Sequence, residues 1–224
     1  MEKALIFDID GTLLDTERIY ARAWKLAGPR FGFEIPEALI LRTRGVHAEG
    51  AQRMFCAQLG AEFPFHDVRA ERIRISEELI EAASAQQVRK PGAGDVLRLA
   101  RERGFRLAAA TSTEQAKTQR HLEHAGFADA FEAVICGDMI ARGKPAPDIF
   151  LLAAERLGIR PEACIVVGDA PADVLAGTAA GMRVVLIPDL VPLNGQTQRL
   201  SWKVLPDLHA LLPVLQAEES EASV

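Results

Sequence analysis

The stretch that decides the fold is Ala4-Leu5-Ile6-Phe7, followed directly by Asp8-Ile9-Asp10-Gly11-Thr12-Leu13-Leu14-Asp15. A short apolar run that ends in acidic residues and a glycine is typical of a buried strand reaching the edge of a sheet. Asp8 and Asp10 project to the same side of an extended chain, and so much negative charge together requires a cation with oxygen ligands. The pattern predicts a magnesium site, although an Asp-Gly turn with solvated acids has the same sequence pattern.

Three further apolar runs predict strands later in the chain, at Phe105–Ala110, Ala163–Val167 and Arg183–Ile187. Amphipathic segments of helical length separate them. Alternating strands and helices predict an α/β fold, with a doubly wound, parallel-sheet Rossmann-like core covered by helices on both faces.

This alternation of strands and helices is interrupted after the first strand. From about Thr16 the sequence indicates consecutive helices, with breaks at Gly28-Pro29, Ile35-Pro36 and Phe63-Pro64. We therefore expect an inserted, all-helical cap domain over residues 16–87. Residues 1–15 and 88–224 would form the catalytic α/β core.

Three polar segments follow later strands or loops of the predicted core. Thr111-Ser112 ends an apolar strand, and its hydroxyls and amides could hold phosphate oxygens. Gly143-Lys144-Pro145 fixes one lysine beside a rigid proline. Gly168-Asp169 ends another strand, with Asp173 four residues on. Each has a plain structural explanation when taken alone: a helix cap, a surface lysine, or an acid at a helix N-terminus.

Taken together and in this order, the four segments resemble those of the haloacid dehalogenase superfamily. The resemblance covers nearly the whole chain, and the helical insertion is similar to the cap of subfamily I members of the phosphoglycolate phosphatase and β-phosphoglucomutase type. It implies a phosphatase in which Asp8 is the covalent nucleophile, Asp10 is the general acid and base, and Lys144 neutralises charge.

The resemblance also implies the ligands of the site. Mg²⁺ would be held by Asp8, the backbone carbonyl of Asp10 and Asp169, and Asp173 would bind it through water or orient Lys144. The transferring phosphate would lie against Thr111, Ser112 and Lys144. Many relatives have serine after the last-motif acid, whereas this chain has Ala170, so we expect a modest change in metal affinity.

The cap is expected to supply specificity, with Tyr20, Arg44 and His47 as candidate substrate contacts. Arg44 could meet a substrate carboxylate or a second phosphate. Solvation of Arg44 is an open alternative, and Trp24 is expected in the core of the cap. His121 and His124 are expected to be solvated.

Two other functions stay open at this point. A β-phosphoglucomutase has a similar first motif and cap, but Tyr20 replaces its histidine and Ala48 its loop arginine. A catalytically silent phosphate-binding protein on the same fold belongs to a different class. The intact acids Asp8 and Asp10 beside Lys144 argue against it.

Composition restricts the partners. A formal net charge of −5 disfavours nucleic acid and anionic membranes, so the expected partner is a small phosphorylated metabolite. No apolar run spans a bilayer, and three widely spaced cysteines suit a reducing environment. We expect a cytoplasmic monomer with a frayed acidic tail from Ala217 onward.

Overall fold

A computed structural model describes residues 2–44, 46, 48–190 and 194–218. Within these residues the chain forms two compact units. The core unit contains the residues up to Leu14 and those from Ala85 onward, and the helical unit runs from Asp15 to Ser84. The boundaries predicted from the sequence, after residues 15 and 87, lie one and three residues further along the chain.

The core unit is built on a six-stranded, fully parallel sheet of order β3-β2-β1-β4-β5-β6. The strands are β1 Ala4–Phe7, β2 Arg106–Ala110, β3 Ala133–Ile135, β4 Cys164–Gly168, β5 Arg183–Leu186 and β6 Lys203–Val204. The predicted doubly wound α/β fold is confirmed. The strand order reverses direction at β1, which is where open α/β sheets bind ligands.

Helices connect the strands of the core unit. They are α5 Ala85–Val88, α6 Ala93–Glu102, α7 Gln115–His124, α8 Asp148–Leu157, α9 Pro171–Ala179, α10 Gly195–Leu200 and α11 Leu211–Ala217. Alternate strand residues such as Ile6, Ala108 and Val166 form one buried cluster with the apolar faces of α8 and α9. At Gly177 a side chain would meet Val184 at 2.6 Å, so the glycine lets α9 lie close to the sheet.

The helical unit contains α1 Thr16–Ala27, α2 Glu37–Arg42, α3 Ala48–Leu59 and α4 Phe65–Ala82. A short 3₁₀ turn at Gly28–Phe31 follows α1, and Pro36 and Pro64 stand just before α2 and α4, at the predicted breaks. Its core is aromatic: Trp24 lies 4.6 Å from Phe55 between ring centroids. The prediction that Trp24 belongs to this core is confirmed.

Several local expectations are corrected. The prediction of a solvated His121 is wrong: with Thr118 and Leu122, it lies on the buried face of α7. The expected fraying from Ala217 is wrong for Glu218, which is buried and ion-paired, while residues 219–224 lie outside the described part. Strands β3 and β6 were not predicted.

The cysteines form no disulfide: Cys136 and Cys164 are buried and Cys56 is half-buried. Among the described residues, no helix combines the length and the apolar composition that a bilayer crossing requires.

Candidate active site

The turn after β1 fixes the first acidic side chain. The amide of Asp8 donates to the carbonyl of Val167 in β4 at 2.8 Å, so Asp8 is still held by the sheet. Gly11 has a φ of 91°, which favours glycine. A side chain there would also stand 2.5 Å from Asp169 Oδ2. Gly11 therefore provides both the turn and the room for a second carboxylate.

The end of β4 brings two more acids to the same edge. Asp169 is buried, and its Oδ1 accepts a hydrogen bond from the hydroxyl of Thr12 at 3.1 Å. Asp173 lies in the first turn of α9, and its Oδ2 accepts from the amide of Ala170 at 3.0 Å. A side chain at Gly168 would meet Asp173 Cβ at 2.5 Å. The glycine before Asp169 thus lets Asp173 approach the strand end.

Lys144 joins these elements. Its ammonium group lies 2.6 Å from Asp8 Oδ1 and 2.7 Å from Asp173 Oδ1, and it donates to the carbonyl of Ala110 at 2.9 Å. The side chain is only 5% exposed. An ammonium group has three hydrogens, so three oxygen partners saturate it and fix its direction.

Burial and charge shift the pKa values of this group. Burial, reinforced by the charges of Asp173 and Asp10, raises the pKa of Asp8 to about 8, although Lys144 opposes the shift. Burial alone would lower the pKa of Lys144, but Asp173 and Asp8 raise it above its ordinary value. Lys144 therefore stays charged, and a group of three acids with one lysine needs a proton or a further cation to balance its charge.

The acids could hold a divalent metal ion such as Mg²⁺. Oxygens of Asp8, Asp169 and Asp173 all lie within 4.8 Å of one another, and all three residues are buried. Mg²⁺ takes oxygen ligands at about 2.1 Å in an octahedron, so ligand oxygens about 3–4 Å apart can share one ion. The excess of acids over bases and the all-oxygen donor set both suit a hard divalent cation.

The end of β2 supplies hydroxyl groups. Thr111 is buried and its hydroxyl donates to Asp10 Oδ2 at 3.2 Å. Thr113, which was not among the predicted site residues, donates to the same oxygen at 2.7 Å. Ser112 is exposed. The signal that could have found Thr113 is its place three residues beyond β2, matching Asp10 three residues beyond β1.

The structure thus brings together Asp8, Asp169, Asp173 and Lys144, and joins Asp10 to Thr111. The residues predicted for substrate contact belong to the helical unit. Tyr20 is half-buried, with the Arg72 guanidinium 5.1 Å from its ring centroid. Arg44 forms an ion pair with Glu17. His47 lies outside the described residues.

Comparison with known proteins identifies the family. A model of the haloacid dehalogenase-like hydrolase family matches residues 2–181, which is well over half of the chain. The chain belongs to the haloacid dehalogenase-like hydrolases. The resemblance inferred from the four segments is confirmed.

Individual relatives of this hydrolase include phosphatases. It is 36% identical to hexitol phosphatase A of Escherichia coli over 186 residues, covering 83% of this chain and 82% of the relative. It is 33% identical over 218 residues to protein CbbY of Rhodobacter capsulatus, covering 93% and 94% of the two chains. A crystal structure of a CbbY variant from Rhodobacter sphaeroides with xylulose-(1,5)bisphosphate aligns with a TM-score of 0.75 at 25% identity, covering 94% of this hydrolase and 96% of that chain.

Proposed function

We propose that this hydrolase is a magnesium-dependent phosphatase that cleaves a small phosphomonoester of the sugar phosphate or phosphoglycolate type. The observation that carries the proposal is the contact of Asp8 with Lys144 at 2.6 Å inside a buried group of acids. Its relatives include a hexitol phosphatase and a fructose-1-phosphate phosphatase of Escherichia coli, which supports this substrate class. We expect a cytoplasmic monomer.

The proposed reaction has two steps. An oxygen of Asp8 attacks phosphorus, the bond from phosphorus to the ester oxygen breaks, and Asp10 gives its proton to the departing alkoxide. Asp10 then takes a proton from water, and the resulting hydroxide attacks the aspartyl-phosphate. Inorganic phosphate leaves, and Asp8 is regenerated.

The surrounding residues make this attack possible. Repulsion between a carboxylate and a phosphate must be offset, and Lys144 is the buried cation beside Asp8. Asp8, the backbone carbonyl of Asp10 and Asp169 would hold Mg²⁺, which would supply further neutralisation of the phosphoryl charge. Asp173 would orient Lys144, with which it pairs at 2.7 Å. Thr111 and Ser112 would bind phosphate oxygens.

The helical unit would select the leaving group through Tyr20, Arg44 and His47. The Arg44 side chain is only 9% exposed, and one terminal nitrogen pairs with Glu17. Within the part of the chain that the structure describes, its other terminal nitrogen, Nη1, is buried without a hydrogen-bond partner. A buried guanidinium nitrogen that lacks an acceptor is unfavourable, and a substrate carboxylate or second phosphate would supply one.

The primary test is phosphate release from a panel of esters, measured with magnesium and with a chelator. The panel contains phosphoglycolate, hexose and pentose phosphates, xylulose-(1,5)bisphosphate and glycerol phosphate. The expected result is magnesium-dependent release that disappears in Asp8→Asn. Equal release from the wild type and Asp8→Asn would contradict the mechanism.

The same panel separates the two other functions. Isomerisation of β-glucose 1-phosphate without net phosphate release would identify a mutase. Phosphate binding without turnover of any ester would identify a silent binder.

The role of Arg44 is tested by Arg44→Ala. We expect KM for the best anionic substrate of the panel to rise roughly ten-fold, as for loss of one charged contact, and KM for p-nitrophenyl phosphate to change little. Arg42→Ala is the matched control, because Arg42 lies two residues earlier and is exposed. An equal change in KM for both substrates would remove Arg44 from specificity.

A further inference from the structure

We propose that Thr113 is a positioning residue that holds the Asp10 carboxylate in place for acid–base chemistry. The inference rests on the proposed phosphatase function and assigns a role to a side chain outside the four sequence motifs. Its basis is the convergence of two threonine hydroxyls on one carboxylate oxygen, at 2.7 Å from Thr113 and 3.2 Å from Thr111.

The backbone of Thr113 is held from both sides. Its amide donates to the hydroxyl oxygen of Thr111 at 3.1 Å, and its carbonyl accepts from the amide of Gly137 at 3.0 Å. A side chain on Gly137 would lie 2.3 Å from the carbonyl oxygen of Ser112, so this loop is closely covered. A fixed backbone and a β-branched side chain leave the hydroxyl few directions.

The hydroxyl groups of Thr111 and Thr113 have different roles once substrate is bound. The hydroxyl of Thr111 is the proposed phosphate ligand, and a hydroxyl has one proton to donate. When that proton turns to a phosphate oxygen, Thr111 no longer donates to Asp10. Thr113 makes the shorter contact and keeps its proton on the carboxylate. Asp10 is therefore held chiefly by Thr113 during the reaction.

Position matters because a general acid must stand within hydrogen-bond reach of the leaving oxygen. Aspartate has two rotatable side-chain bonds, and loss of a hydroxyl contact lets the carboxylate leave that position. The loss affects only steps that use Asp10. Protonation of an alkoxide needs the acid, whereas p-nitrophenolate leaves without a proton.

The test compares Thr113→Val, which removes the hydroxyl at nearly constant shape, with Thr113→Ser, which keeps it. The substrates are the fastest alkyl phosphate of the panel and p-nitrophenyl phosphate. In Thr113→Val we expect kcat/KM for the alkyl phosphate to fall roughly ten-fold, which is part of the full contribution of a general acid. For p-nitrophenyl phosphate, kcat/KM should stay unchanged while kcat falls, because hydrolysis of the aspartyl-phosphate still needs Asp10.

Thr178→Val is the matched control. Within the described residues the buried hydroxyl of Thr178 has no hydrogen-bond partner, so its removal should leave both substrates unaffected. Thr113→Ala is a second variant without the hydroxyl, and Thr113→Ser should restore the wild-type ratio between the substrates. An equal loss of kcat/KM on both substrates, or wild-type kinetics in Thr113→Val and Thr113→Ala, would overturn the role of Thr113. Failure of the phosphatase proposal is seen separately, as absence of magnesium-dependent release by the wild type.

Discussion

The core unit has a buried carboxylate beyond each end of its sheet, and the two carboxylates have opposite environments. At the carboxyl end, Asp8 is crowded by other acids and shares one lysine with Asp173. On the opposite side, Glu218 after α11 is bound by Lys3, just before β1, and by Arg183 at the start of β5. Asp8 is 7% exposed and Glu218 6%, so solvent exposure alone does not distinguish them.

The depth of burial and the compensation of charge distinguish the two carboxyl groups. Burial and neighbouring acids raise the pKa of Asp8 to about 8. The bidentate hydrogen bonds of Arg183, aided by Lys3, lower the pKa of Glu218 to about 2 against its burial. The first arrangement can bind a cation, which would in turn offset the charge of a phosphoryl group, and the second stabilises the fold. The functional site is thus recognised here by buried acids that lack enough neighbouring positive charge.

The largest effect is expected from Asp8→Asn. Turnover should fall on the order of 10³-fold or more, because the amide is not a nucleophile. Stability should change in the opposite direction. Folding raises the pKa of this carboxyl, so the stability of the wild type falls as pH rises from about 4 to about 8, where only the unfolded chain releases the proton. In metal-free buffer the variant should therefore melt higher than the wild type, with a gap that grows over that range.

The measurement is thermal unfolding over that pH range, with and without magnesium. Magnesium should raise the melting temperature of the wild type more than that of Asp8→Asn, since the variant loses a proposed ligand. A variant that melts lower than the wild type at every pH would show that the Asp8 charge is already compensated.

The next effect is expected from Glu218→Gln, which should lower stability near pH 7 by about 1–3 kcal/mol. The pKa of Glu218 is lowered on folding, so its contribution is present above about pH 4.5 and is lost as pH falls toward 2. The difference from the wild type should therefore shrink over that range. Denaturant unfolding measures it, with Glu155→Gln on the exposed side of α8 as the control. A pH-independent difference would contradict the assigned charge contact.

The smallest effect is expected from Glu71→Gln in the helical unit. Hydrogen bonds from Arg74, with help from Arg30, lower the pKa of Glu71 to about 2, as for Glu218. However, the Arg74 side chain is 47% exposed and that of Arg30 54%. Solvent and salt screen such pairs, so the loss of melting temperature should be well below that of Glu218→Gln and should vanish in high salt. Equal losses of melting temperature in Glu71→Gln and Glu218→Gln would mean that ion pairing, and not burial, determines the contribution to stability.

Much of the architecture could be predicted from the sequence. Strands β1, β2, β4 and β5 lie where long apolar runs occur, because buried parallel strands have apolar residues on both faces. The edge strands β3 and β6 have only three and two residues, and segments this short show no recognisable hydrophobic pattern. The burial of His121 and Glu218 was misjudged because it depends on tertiary packing, as for Glu218, whose partners Lys3 and Arg183 are distant in the chain.

The sequence alone determined which chemical groups stand near the ends of the strands, since acids and hydroxyls follow the apolar runs directly and a lysine stands beside a proline in a loop. Only the tertiary structure decided their pairing. Lys144 meets Asp8 across 136 positions of chain, and Thr113 meets Asp10 across 103. Such contacts follow from the order and register of parallel strands, which place distant segments side by side and leave no local pattern in the sequence.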